Sequence, residues 1–147
     1  MRALLQRILH GNVIIHGEEV GRIGRGLCIF LGVGNEDTER DADYLAQKVV
    51  LLRIFEDDAG KMNRSLLETG GEALIVSQFT LYGDCAKGRR PSFSRAAAAE
   101  KGEKLYSYFV ARVSAHGVKT ATGKFQARME VSITNDGPVT LMLESRP

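Results

Sequence analysis

The stretch Glu72-Ala73-Leu74-Ile75-Val76-Ser77-Gln78-Phe79-Thr80-Leu81 decides the fold class. Its first half is apolar at consecutive positions, so a strand there must be covered on both faces. It is read as one central strand from Glu72 to Leu81. Leu27 to Val33 is a second nearly continuous apolar run, short enough for a buried strand. Upstream, Val13-Ile14-Ile15 and Val20 to Ile23 flank His16-Gly17, which predicts a β-hairpin. Between these strands, Thr38-Glu39-Arg40-Asp41 resembles a capping box with Asp in place of Glu. The helix it opens carries Ala42, Leu45, Ala46, Val49 and Leu52 on one face. Asp57-Asp58-Ala59-Gly60 has the composition of a turn.

Downstream, a helix is expected from about Glu100 to His116, stopped by Gly117, with Leu105, Tyr108, Phe109 and Val113 as its apolar stripe. Met129, Val131 and Ile133 then alternate with Glu130, Ser132 and Thr134, the period of a half-buried strand. Val139 to Leu143 follows as a further strand after a Gly-Pro turn. The order of strands, helix, strand, helix and strands predicts an α+β fold: a mostly antiparallel sheet with two main helices packed on it.

The 147 residues fit one domain, 1–147, large enough to bury a core without staples. With 44% hydrophobic and 26% charged residues, the composition is that of an ordinary globular chain rather than a membrane or disordered one. No apolar run approaches the ~20 residues of a membrane span, and the apolar stretch at Met1 to Arg7 is too short for a signal peptide. Two cysteines cannot make a disulfide framework. Cys28 reads as a core residue, and a reducing cytoplasm is the expected location. The net charge of +2 does not itself point to nucleic acid. The run Ala86 to Arg95 is more telling, with Lys87, Arg89, Arg90 and Arg95 and no acid. It suits phosphate contact and a solvated charged loop equally well.

Familiar catalytic devices are missing. There is no G-x-S-x-G elbow or P-loop, and Asp37 stands where a dinucleotide fingerprint needs its third glycine. His10, His16 and His116 lack metal-pair spacing, so no metal and no organic cofactor are expected. Cys85 has no histidine nearby in sequence to activate it. Two segments do stand out. Ser77-Gln78-Phe79-Thr80-Leu81-Tyr82-Gly83 puts hydroxyl and amide groups where a buried strand ends. That suits either a strand turning into solvent or the mouth of a pocket. Asn135-Asp136-Gly137-Pro138-Val139-Thr140 reads as a turn between strands. It also offers an X-Pro bond that can be cis at modest cost and a glycine that admits close approach.

These two segments, Ser77-Gln78-Phe79-Thr80-Leu81 and Asn135-Asp136-Gly137-Pro138-Val139-Thr140, resemble the two signature motifs of the D-aminoacyl-tRNA deacylases. The likeness extends to Met1-Arg2 with Gln6-Arg7, to Leu52-Arg53-Ile54-Phe55-Glu56-Asp57 with Gly60-Lys61-Met62-Asn63, to Lys87-Gly88 with Arg90-Pro91-Ser92-Phe93-Ser94, and to Leu105-Tyr106 with Tyr108-Phe109. It covers essentially the whole chain. Departures fall outside both motifs: Cys85 where threonine is common, Gly83 where alanine is, and Ala96 to Ala99 where prolines are frequent.

The resemblance implies a barrel-like β core and a cytoplasmic homodimer with active sites at the interface. It implies hydrolysis of D-aminoacyl-tRNA, and of mischarged glycyl-tRNA, as chiral proofreading in translation quality control. Gly137 and Pro138 of one subunit, joined by a cis peptide, would line the partner's pocket with carbonyl oxygens and exclude L side chains. Arg7 would hold that pair by hydrogen bonds to its backbone. Ser77, Gln78, Phe79 and Thr80 would form the catalytic segment. Ser77 would position the ribose and the Phe79 N–H would polarise the ester, while the 2′-hydroxyl of the terminal adenosine assists in place of a protein nucleophile. Lys87, Arg89, Arg90 and Arg95 would meet tRNA phosphates, and no membrane or DNA partner is implied. Two other readings share features of the sequence. One is a non-catalytic RNA-binding module, which needs the basic loop only. The other is a related enzyme that clears L-Ala from tRNA, against which Phe79 and Arg7 weigh.

Overall fold

Strand β1 (Arg2–Ile15) organises the sheet because it changes face midway. Ala3 and Leu5 pack into one core, Ile8, Val13 and Ile15 into another. The switch has a local cause. From Ile8 to His10 the strand advances two residues while its partner advances only from Asn135 to Thr134. The one extra residue is a β-bulge, which inverts the alternation of side chains. The partners change at the same place: Arg2 to Ile8 pair with β3 (Gly26–Gly32) and Gly11 to Ile15 with β2 (Glu18–Ile23), both antiparallel. His16 and Gly17 both have positive φ, 49° and 79°, as a two-residue hairpin turn with the correct twist requires. The computed structural model describes residues 1–146.

From β3 the chain crosses over through α1 (Glu39–Leu51). It then forms a small hairpin, β4 (Phe55–Glu56) and β5 (Met62–Arg64), around the Asp57 to Gly60 turn, and a short helix α2 (Leu66–Thr69). Strand β6 (Glu72–Ser77) lies parallel to β3, and after α3 (Ala99–Ala115) comes β7 (Thr120–Thr122), parallel to β6. Strand β8 (Glu130–Glu144) returns along both halves of β1. The order is β2-β1-β3-β6-β7, with β8 also on β1. The sheet nearly closes on itself where β2 meets β7. A Cβ on Gly21 would stand 2.5 Å from the Thr122 carbonyl oxygen, so only glycine permits that approach.

The central strands are apolar throughout because both their faces are buried. Leu27, Ile29, Leu31, Ala73 and Ile75 face the helices, whereas Cys28, Leu74 and Val76 face the barrel interior. Burial pushes the Cys28 thiol up to about 12, so it is a packing residue. Helix α1 buries Ala42, Leu45, Ala46, Val49 and Val50; α3 buries Leu105, Tyr106, Phe109 and Val113. Each large side chain so buried contributes roughly 1.5–3 kcal/mol. The Asp41 carboxylate accepts from the Thr38 N–H at 2.8 Å, which completes the acidic half of the expected capping box.

Several expectations are corrected. The Glu72 strand ends at Ser77, not Leu81. The Gln78 N–H donates to Leu31 O, after which Phe79–Tyr82 coils into a 3-10 turn. Tyr106 rather than Tyr108 belongs to the α3 stripe, with its hydroxyl donating to Ile75 O at 2.6 Å. Tyr108 reaches Asp43 at the edge of the core. Asn135 to Thr140 is no reversing turn between two strands, since β8 runs through it as one strand. Helix α2, which the apolar periodicity does not announce, carries its signal in the capping sequence Ser65-Leu66-Leu67-Glu68. The Glu68 N–H bonds Ser65 Oγ, the Glu68 carboxylate accepts from the Ser65 N–H, and Gly70 caps the helix at φ 68°.

Candidate active site

A cleft of about 580 Å³ opens where β6 ends. Val76, Ser77, Gln78 and Phe79 form one wall, Ala97 and Ala99 the approach to α3, and Phe125, Gln126, Ala127, Met129 and Val131 the opposite wall. The shape follows from the termination of β6. Leu74 and Val76 fill the barrel, and once the ladder ends the chain curls, leaving Phe79 55% exposed beside the opening. Phe79 meets Phe93 of the following loop edge-on, with ring centroids 5.2 Å apart.

None of the lining residues carries a carboxylate, imidazole, amine or thiol. The Thr80 hydroxyl accepts a short hydrogen bond from the Gln78 amide, so its partner is no base. Thr80 itself does not line the cleft. The N–H groups of Phe79 and Thr80 open the 3-10 turn, where no carbonyl one turn back can receive them. Among the described residues neither has an acceptor. The residues at the end of β6 thus bring the Ser77 hydroxyl and the Phe79 main-chain N–H to the cleft, polar groups of the kind that bind and polarise a carbonyl oxygen. Among the described residues no group of three or more His, Cys, Asp or Glu converges to hold a metal ion.

Gly137 and Pro138 do not line this cleft within one chain. They lie exposed on β8, and the peptide bond between them is cis. From Gln6 to Ile8, β1 advances two residues; opposite, β8 runs from Thr140 back to Asn135, five residues. The three additional residues form an excursion that carries Gly137-Pro138 out of the ladder. Val139 behind it is buried in the main core. Gly137 is not among the left-handed glycines, and a Cβ there would meet only Asn135 Oδ1, at 3.6 Å. Nothing within the chain demands glycine at that position.

Arg7 is 5% exposed and sits beneath this excursion. The hydrogen bonds expected from it to the Gly137-Pro138 backbone are not made within the chain. Instead Nη1 donates to Ile54 O at 2.8 Å, and Nε lies 3.1 Å from Asp136 Oδ2 at an angle too poor for a hydrogen bond. The cause is the strand's alternation, which sends Arg7 to the inward face with Ala3 and Leu5. The basic residues divide. Lys87, Arg89 and Arg90 lie exposed on the loop after the 3-10 turn, with no ion pair among the described residues. Arg95 lies 5.9 Å over the Tyr82 ring, lining a separate cavity with Met1, Arg2 and Asp37. Ser77, Gln78 and Phe79 are therefore brought together; Thr80 is adjacent; Arg7, Gly137 and Pro138 form a second group elsewhere on β1 and β8. Sequence reasoning missed the far wall. Met129 and Val131 were legible as the inward face of a strand, but Phe125 and Gln126 sit in a loop without periodicity.

A small barrel-like α+β protein with a preformed, uncharged cleft is the class that this fold and site define. Within it, the chain belongs to the D-Tyr-tRNA(Tyr) deacylase family, whose sequence model matches residues 4–144. Membership makes it an enzyme, a hydrolase. It is 59% identical to the D-aminoacyl-tRNA deacylase of Desulforudis audaxviator over 99% of this chain and 98% of that protein. It is 60% identical to that of Desulfatibacillum aliphaticivorans over 99% and 100%. A solved structure described as "c-Myc DNA Unwinding Element Binding Protein" matches with a TM-score of 0.94 and 39% identity, covering all of both chains. Another, of a probable eukaryotic D-amino acid tRNA deacylase, matches at 0.83 over 97% of this chain; at 24% identity it speaks for the fold alone.

Proposed function

We propose that the protein hydrolyses the ester linking a D-amino acid, or a mischarged glycine, to tRNA, and that it does so as a homodimer of one domain per chain. The observation that carries this reading is the exposed Gly137-Pro138 excursion, whose glycine the chain's own packing does not require. A residue kept small where its own fold leaves room is explained by something that approaches from outside. In the proposed dimer, that something is the partner's cleft and its substrate. Carbonyl oxygens of Gly137 and Pro138 line the side on which an L side chain would project. D-amino acids and glycine are admitted, and L-amino acids are excluded sterically.

The uncharged lining supports a reaction in which a hydroxyl of the substrate, rather than a side-chain base, relays the proton. Water attacks the ester carbonyl with the assistance of the 2′-hydroxyl of the terminal adenosine, the bond from the carbonyl carbon to the ribose oxygen breaks, and the proton released by water passes to that departing oxygen. Ser77 positions that ribose, Gln78 shapes the wall and holds Thr80, and the Phe79 N–H donates to the developing oxyanion. Fixed donors and a held ribose supply rate through positioning and preorganised dipoles. Lys87, Arg89 and Arg90 track phosphates of the acceptor end, with Arg95 at their margin, so affinity falls as salt rises. Among the described residues no helix is long and apolar enough to cross a membrane; the cytoplasmic location proposed with this function follows from the tRNA substrate alone.

The test is deacylation of D-Tyr-tRNA and L-Tyr-tRNA, each with a 2′-hydroxyl or a 2′-hydrogen at the terminal adenosine. Rapid release from the D ester alone, slowed by about 10²–10⁴-fold without the hydroxyl, is expected from the loss of a positioned proton-transfer group. No hydrolysis of the D ester refutes the enzyme reading, and an undiminished rate on the deoxy substrate refutes RNA assistance. Release of L-Ala in preference to D-Tyr would place the protein with the L-Ala-clearing relatives.

A further inference from the structure

We infer that Asn135 is a positioning residue for chiral selection: its side-chain amide is the clasp that closes the base of the Gly137-Pro138 excursion. This inference rests on the proposed role of that pair. Asn135 Nδ2 donates to Arg7 O at 2.8 Å and to Val139 O at 3.2 Å. One acceptor belongs to β1 and the other to the residue at which β8 re-enters the ladder. The amide therefore spans the neck of the loop and replaces the backbone bonds that β8 forgoes where five of its residues face two of β1.

The geometry dictates the residue type. Both acceptors are carbonyl oxygens, so the group between them must donate twice from one atom at short range, which an amide NH2 does. A carboxylate of the same shape would set negative charge against two carbonyls. Glutamine would carry the NH2 one methylene too far. Oδ1, on the other side of the same amide, is the nearest atom to the built Gly137 Cβ, at 3.6 Å. The clasp thus lies beside the selecting residue on one side and bonds the ladder on the other. Its neighbour Asp136 adds a second tether, lying 3.1 Å from the guanidinium of buried Arg7. Val139 supplies the third by burial. Three anchors hold a loop whose tip is solvent-exposed in the single chain. That is the arrangement needed when the tip must meet a second body at a set height.

Asn135 touches no atom of the cleft within its chain, so its loss should alter what the wall excludes more than what the site hydrolyses. The experiment compares Asn135→Asp and Asn135→Ala with the parent enzyme as a full-length dimer. Rates on D-Tyr-tRNA and L-Tyr-tRNA are measured, together with amide hydrogen exchange at Asp136 and Gly137. Expected are a D rate within about threefold of the parent, an L rate raised about tenfold or more, and faster exchange confined to the excursion, as follows from losing two hydrogen bonds that hold one loop. Gly137→Val serves as the control on the underlying reading. If Gly137→Val changes the D/L ratio while both Asn135 variants keep the parent ratio and exchange, the clasp is refuted and the wall survives. If none of the three changes the ratio, the wall itself is wrong and the inference falls with it. Should one Asn135 variant fail to fold, the other decides. Should both fail, or lower the D and L rates in equal proportion, Asn135 is merely structural and the inference is overturned.

Discussion

Replacing Gly137 with alanine separates what the fold requires from what the function requires. Inside the chain the added methyl meets one atom, Asn135 Oδ1 at 3.6 Å, an ordinary van der Waals contact, and the backbone there is not left-handed. Folding should not suffer. A glycine-to-alanine change at a compatible site stabilises by about 0.4–1 kcal/mol, because the unfolded chain loses freedom. For a chain of this length that is an unchanged or raised melting temperature, by no more than about 2–4 °C. Across the proposed interface the same methyl projects into space reserved for substrate. Overfilling a close-packed site costs about 1–3 kcal/mol. That corresponds to a fall of roughly 5- to 150-fold in kcat/KM for D-Tyr-tRNA. The assays are thermal unfolding by circular dichroism, dimer mass by light scattering, and kcat/KM on the D ester. A Gly137→Ala dimer that melts normally and works at the parent rate would refute the reasoning, as would a large drop in melting temperature.

Thr80→Ala should keep kcat/KM within about fivefold of the parent, the cost of one neutral hydrogen bond. The Thr80 hydroxyl answers only to the Gln78 amide; complete loss in a folded variant would instead make Thr80 the nucleophile. Asp41→Asn should lower the melting temperature at pH 7 by several degrees. The Arg146 guanidinium, the Thr38 N–H and the Ser145 hydroxyl together hold the Asp41 carboxyl well below the usual carboxylate range. A folded-state pKa below the unfolded value stabilises the fold above the unfolded value, near ~4, and the contribution is lost as pH falls further. The gap in melting temperature between the Asp41→Asn variant and the parent should therefore narrow as pH falls below the unfolded value, and a gap as wide at pH 2 as at pH 7 would contradict the assignment.

The parts of the fold that could be read from sequence are those with a local cause. His16-Gly17 announces its hairpin because both residues tolerate positive φ. The capping pattern at Thr38 to Asp41 and the breaker Gly117 bracket their helices within a residue or two. What escaped depends on distant partners. Nothing between Arg7 and His10 marks a bulge, because the bulge exists only relative to β8. Asn135 to Thr140 has turn composition, yet β1 keeps the chain on course, so local preference yields to pairing on either side. The end of β6 at Ser77 is hidden for a similar reason. Phe79, Thr80 and Leu81 suit a strand as well as a 3-10 turn, and the ladder simply runs out of partner at Leu31. At the site, Ser77 and Gln78 were legible as polar residues ending an apolar strand, whereas Phe125 and Gln126 reach the cleft only through the packing of the loop after β7. The place of Arg7 beneath the excursion was legible only from family likeness, and its actual contacts, Ile54 O and Asp136, were not.

The central claim is that each reaction site takes its cleft from one chain and its wall from another, and subunit mixing tests it most directly. Gly137→Phe disables the site from the wall side, because a ring there fills the space reserved for substrate and neither ester is hydrolysed. Phe79→Pro disables the cleft by removing an N–H that has no acceptor, at a first-turn position where proline is tolerated. Equal amounts of the two inactive proteins are dissociated, mixed and reassociated. With sites shared across a two-fold interface, half the dimers are mixed and one site in each is free of defects, so about a quarter of the parent activity should return, with parental preference for the D ester. If wall and cleft belonged to the same chain, every site would keep one defect and the mixture would stay inactive, which would contradict the account.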